Sequence, residues 1–302
     1  MFALIQQQGA FALAGFAFVL LISLWALHRL QRSLPSPVNR LIVRWVRLVG
    51  IGLFIGLLFK VTFFAETPYW RLYVMGVLFW LFVESGYVWI YILAWDKSEL
   101  PLFPSIREVE RVEWPANHRF FLIKDWIREN NYSLQACFQY RYEEEVLQQV
   151  LVYQSPDALT RLQVIVVSDA SGVILDQVVF ASVSDSGELW VTDNVFMPFG
   201  GVYPETWRVQ RHPAVRKISK IASMHERRKH QAGSENWIPF EAQVSDWLFE
   251  MQQTLERVNV NAGILNERTD RDEFGKMTGE GRYRIWKELL LLNYLAISPF
   301  NR

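Results

Sequence analysis

At 302 residues the chain is long enough for one or two domains, and its 31 basic and 31 acidic side chains cancel, which excludes the strong global charge of a nucleic-acid binder. A single cysteine, Cys137, excludes an internal disulfide and a four-cysteine zinc site. The balance hides a segregation: residues 1–95 hold seven Lys or Arg and two acids, net +5, so residues 96–302 hold 24 basic and 29 acidic residues, net −5.

Three apolar runs fill the first part. Residues 9–27, "GAFALAGFAFVLLISLWAL", are uncharged and just long enough to cross a bilayer. The residues before them carry no Lys or Arg, unlike a secretory signal, so the run reads as a retained membrane helix. Residues 48–65 and 72–95 are the second and third runs, joined by "ETPYWR", which makes them an antiparallel hairpin. The loop at 28–47 carries five arginines and no acid. Short basic loops stay in the cytoplasm, so the N-terminus is expected outside and residues 96–302 inside, in a multi-pass inner (plasma) membrane protein of bacterial type. Tyr69 and Trp70 then mark the outer edge and Trp25, Trp45 and Trp95 the inner one.

Two charges interrupt these runs. Lys60 lies about 18 Å from Leu48, and Glu84 about 16–17 Å from Trp95, at 1.5 Å per helical residue. With Leu48 and Trp95 taken as level, the two charges share a depth, and a Lys60–Glu84 pair across the hairpin is expected. It either fixes register or relays protons; too few titratable groups lie nearby for a relay, which favours register. Gly52 and Gly56 form a small-xxx-small spacing for close helix packing, with the first run or a second copy as partner.

Residues 96–116 are charged and hold Pro101, Pro104 and Pro115, which reads as a juxtamembrane linker with a short helix around 106–112. Residues 117–302 are expected to form a cytoplasmic α+β domain. An amphipathic helix over "NHRFFLIKDWIREN" starts with Asn117 placed to cap it. Then come about five short β-rich runs over 134–194, separated by "SPDA", "DASG" and "DSG", an antiparallel meander. "VIVV" and "VVFA" read as buried on both faces, which calls for a covering helix. The loop 194–207 is rich in aromatic residues and is expected to fold back on the core.

Residues 208–230 carry eight cations, Arg208, Arg211, Arg216, Lys217, Lys220, Arg227, Arg228 and Lys229, against one acid, Glu226. A basic amphipathic helix there would cover the sheet with one side and meet anionic lipid or a partner with the other. "HERRKH" is not a zinc-protease motif: His225 and His230 are five residues apart, about 140° around a helix. Residues 240–260 and the final "YRIWKELLLLNYLAI" read as amphipathic and buried helices.

No phosphate-loop or nucleophile-elbow motif occurs, the five histidines form no ligand spacing, and Asp169, Asp176, Asp185 and Asp193 sit near turns, where Asp is favoured for backbone reasons. No cofactor or metal is expected. The expected function is a non-enzymatic membrane-anchored scaffold, assembly or sensor module. Its expected surroundings are the lipid bilayer, a second copy or membrane-complex partners, and no nucleic acid. One alternative is a subunit of a transport or proton-coupled complex using Lys60 and Glu84. Another is an inner-leaflet lipid or envelope enzyme, which needs a polar pocket beside residues 194–230.

Overall fold

The computed structural model describes residues 2–33, 36–99, 102–103, 105–116, 118–142, 145–168, 174–232, 236–271 and 275–299. The chain forms two compact units: residues 1–91 with 293–295, and residues 92–292 with 296–302.

The first unit is helical: α1 (Phe2–Ser33), α2 (Pro37–Thr62) and α3 (Tyr69–Asp96, whose end from Ile92 counts with the second unit). α2 begins eleven residues before the apolar run that announces it. Ser36 is extended and Pro37 opens the helix, where its fixed φ suits the first turn. Arg40, Arg44 and Arg47 are good helix formers and recur at i, i+4 and i+7, so the "loop" between the first two runs is largely helix.

α2 and α3 pack through glycine. A Cβ on Gly56 would come within 2.9 Å of the Tyr73 backbone, and one on Gly52 within 2.5 Å of Val77 Cγ2. Only a missing side chain lets the two backbones approach this closely. The partner is thus α3; α1 meets Gly50 instead, through Leu20, and stacks Phe16 on Phe54.

Among the described residues two helices are long and apolar enough to cross a membrane, Val38–Thr62 and Tyr69–Asp96, and only 17% of either apolar window is buried. A core helix of a soluble protein would be mostly covered; here Phe79, Phe82, Tyr87 and Ile90 stand exposed. The apolar helix Gly15–Arg29 is shorter and does not meet the same length. Of the three expected spans, two correspond to helices long and apolar enough to cross a membrane, and α1 does not meet that measure.

The second unit is a mixed sheet with helices on both faces. Its strands are β1 (Ser105–Val109), β2 (Ser133–Tyr142), β3 (Glu145–Gln154), β4 (Arg161–Ser168), β5 (Ile174–Ser184), β6 (Leu189–Asp193), β7 (Trp207–Arg211) and β8 (Trp237–Ile238). Strands β1 to β7 lie in chain order; β8 pairs with β5. Neighbours are antiparallel as far as β6, and β7 runs parallel to β6, Val191 opposite Val209.

Two expectations change here. Residues 105–109 are a strand, Ile106 opposite Tyr140, rather than the start of a linker helix. The meander gains a parallel last strand because the thirteen residues between β6 and β7 are enough for a crossover. That crossover is the aromatic loop, and it does fold back: Phe199 stacks on Tyr203 at 4.5 Å, and Tyr203 on Trp207.

Alternation along the strands feeds two cores. On one face Leu151, Leu162, Val164, Val178 and Phe180 meet Phe120, Ile123 and Ile127 of α4 (His118–Glu129) and Ile218 and Ile221 of α5 (Ile218–Gln231). On the other, Val150, Val152, Ala181, Val191 and Val209 meet Val244, Trp247 and Leu248 of α6 (Val244–Asn261). Cover on both faces explains why "VIVV" and "VVFA" are continuously apolar. The last helix, α7 (Gly279–Leu295), is capped by the Thr278 hydroxyl, which accepts from Gly281 N, and ends at Ala296 in the left-handed region. Asn117 and Asp169 lie outside the described residues.

Candidate functional site

Glu84, the acid in the middle of α3, is 5% exposed. Its carboxylate accepts from the guanidinium groups of Arg44 and Arg47 through one oxygen and from the Tyr294 hydroxyl through the other. Trp45 Nε1 donates to the Tyr294 carbonyl at 2.9 Å, and the Arg44 guanidinium lies 5.8 Å from the Tyr294 ring centroid. Arg47 stands over Trp80 at 5.8 Å. All of these residues belong to the first unit. Two guanidinium groups and a hydroxyl satisfy one carboxyl group among apolar side chains, where an unpartnered polar group would be costly.

The expected Lys60–Glu84 pair is not formed. Lys60 Nζ donates to the carbonyls of Ala65 and Thr67, each at 3.1 Å, and so holds the turn between α2 and α3. The physical reason is register. Gly52 faces Val77 and Gly56 faces Tyr73, so four residues along α2 match four in reverse along α3. Carried on, this sets position 84 opposite 45 and position 60 opposite 69. Trp95 is not level with Leu48: α3 runs on past the arginines, and Glu84 lies level with Arg44 and Arg47. Their helical spacing was visible in the sequence; Tyr294, 210 residues from Glu84, gave no local signal.

The eight cations of 208–230 do not make one surface. Arg211 is buried, donating to Glu288 at 2.8 Å and to the carbonyls of Val195 and Met197, with Asp193 3.5 Å away. Arg208 pairs with Glu188. Arg228 donates to the carbonyls of Val191 and Arg208 and to the Thr192 hydroxyl. Lys229 is buried and donates to Thr160 and Glu226, and Arg216 is half-buried near Asp176. Lys217, Lys220 and Arg227 are the exposed ones.

His225 sits inside the second unit, its two ring nitrogens 3.0 Å from the hydroxyls of Ser182 and Thr192. Burial, with Lys229 and Arg228 nearby, lowers its pKa to about 3, so it is neutral. Ser182 is itself fully buried, so this Ser–His contact has no access to substrate. Asp176 pairs with Arg119; burial outweighs Arg119 and Arg216 and raises its pKa to about 6. Arg161 is buried between the rings of Phe240 and Trp247, at 4.5 and 4.9 Å. Glu288, fully buried on α7, accepts from the backbone N–H groups of Phe199 and Gly200 at 2.7 Å each and from Ser298. Gly200 has φ +65°, and a Cβ there would strike Ile285, so only glycine serves.

A cavity of 670 Å³ beside α5 is lined by Trp126, Tyr132, Ser219, Glu226, Arg227 and His230 among others. Among the described residues no three His, Cys, Asp or Glu side chains gather as metal ligands. Comparison with protein-family models, with curated proteins and with solved structures finds no match.

Proposed function

We propose that this chain is a membrane-anchored, non-enzymatic module that assembles with partners or senses a ligand. In this reading α2 and α3 cross the bilayer, α1 provides a third span, and residues 96–302 stand on the arginine-rich, cytoplasmic side of an inner membrane. One observation carries the reading: α2 and α3 expose apolar side chains around most of their girth while Arg44 and Arg47 are turned onto Glu84 between the helices. That arrangement suits lipid as solvent, with polar groups satisfied between helices.

The way Glu84 is held favours a structural lock over a proton relay. Its oxygens are already taken by Arg44, Arg47 and Tyr294. Lys217, Lys220 and Arg227 are the side chains we assign to a headgroup or partner contact. The orientation is tested by reporter fusions at both ends: an enzymatic tag that is active only outside should work at the N-terminus and fail at the C-terminus. The reverse pattern overturns the topology. Glu84→Gln separates lock from relay: a lock predicts lower detergent resistance, a relay a lost flux with stability intact.

A further inference from the structure

The Glu84 cluster carries more positive charge than it neutralises. Residues 1–91 contain two acids, Glu66 and Glu84, and Glu66 lies at the far end of α2, in the turn to α3. Arg44 and Arg47 therefore share a single carboxylate. Excess positive charge among apolar side chains calls for an anion.

The hydrogen-bond donors agree. Arg47 Nε and Trp80 Nε1 are buried and have no hydrogen-bond partner among the described residues, although Arg47 lies over the Trp80 ring. Arg47 is also reachable, with 35% of its side chain exposed. Beside this stripe the outward side chains are apolar: Val38, Ile42, Trp45, Val46 and Val49 are exposed. A guanidinium pair with spare donors next to an apolar wall matches a molecule with a phosphate at one end and hydrocarbon at the other.

We infer that Arg44 and Arg47 hold the phosphate of an anionic phospholipid against α2. The depth fits. Arg47 is 15 residues before the end of α2 at Thr62, so about 22 Å from that membrane face at 1.5 Å per residue. A hydrocarbon layer about 30 Å thick then leaves the guanidinium groups within reach of the opposite headgroups. The inference rests on the reading that α2 and α3 lie in lipid. The apolar wall selects a lipid over a free phosphate, which would need only the charge.

The test is native mass spectrometry of the full chain in detergent micelles containing equal phosphatidylglycerol and phosphatidylcholine. Phosphatidylglycerol should be retained preferentially, and Arg47→Gln should weaken that preference about fivefold, the worth of one arginine near a phosphate. Glu84→Gln removes the competing carboxylate and should strengthen it, a sign that a purely structural cluster would not give. Should Arg47→Gln fail to fold, Arg47→Lys, which keeps the charge and loses the forked donors, should weaken the preference in the same direction. Equal retention of both lipids overturns the inference. So does displacement of phosphatidylglycerol by equimolar inorganic phosphate, which would assign the arginines to a soluble anion. A chain that needs detergent but shows no headgroup preference loses only this site; a chain soluble without detergent loses the membrane reading as well.

Discussion

Two titrating side chains in the second unit give opposite pH dependences. His225 has a folded pKa of about 3 against an ordinary 6.5, depressed chiefly by burial. As pH falls below 6.5 the unfolded chain takes the proton first, so the stability that His225 contributes is whole above 6.5 and is lost towards pH 3, at about 1.4 kcal/mol per pH unit. Asp176 has the other sign: raised to about 6 from 3.8, it is protonated first in the folded chain, which gains stability as pH falls from 6 to 3.8. Denaturant unfolding of His225→Gln beside the wild type, repeated at several pH values, should show the variant's deficit shrinking as pH falls through that window. A pH-independent difference would mean that His225 is not held neutral. Glu288 makes a larger prediction. It is buried with Arg211 and two backbone N–H donors, so Glu288→Ala should cost about 3–5 kcal/mol by taking one of the two carboxylates from buried Arg211 and loosening the 195–201 loop. Denaturation midpoints check it, and a loss under 1 kcal/mol would show that the network relaxes without it. Arg211 read as a surface cation in the sequence because its acid, Glu288, is 77 residues away and no local pattern joins them.

At the scale of elements, the tightest constraint is the α2–α3 crossing. Gly56 has the Tyr73 backbone in the place a side chain would take, so Gly56→Leu must separate the helices rather than rotate a rotamer. We expect a loss of about 1–3 kcal/mol in SDS-titrated unfolding, while Gly86→Leu, where a Cβ meets nothing within 4 Å, should be near neutral. In the sheet, Phe180 is buried between α4, α5 and the strands, and Phe180→Ala should cost about 3–5 kcal/mol. Periodicity disclosed these elements unevenly. α4, α6 and the central strands announce themselves through spacing and turn residues. β1 did not, because a five-residue edge strand with adjacent charges, Arg107 and Glu108, between prolines resembles a linker. β7 did not, because parallel pairing is set by the crossover and not by the strand's own five residues. α2 was cut short because its arginine-rich first three turns are polar on one side only, and a window of apolar residues stops at the first charge.

For the whole molecule, the segregation of charge was the most informative line of the sequence. A net +5 over residues 1–95 and −5 over the rest separates a lipid-suited part from a water-suited part before any element is assigned. What it could not provide was the pairing of Glu84. Equal distance from assumed membrane edges suggested Lys60, whereas helix register, set by Gly52 and Gly56, brings Arg44 and Arg47 instead. The most direct test of the membrane reading uses the single cysteine. With buried Cys137 replaced by Ser, spin labels can be placed one at a time along α3 in reconstituted bilayers. Positions 75, 78, 79 and 82, exposed in the structure, should relax with dissolved oxygen and not with an aqueous nickel complex, while 72, which is buried, should respond to neither. If 75, 78, 79 and 82 respond to the aqueous complex, α3 does not lie in lipid and the account fails.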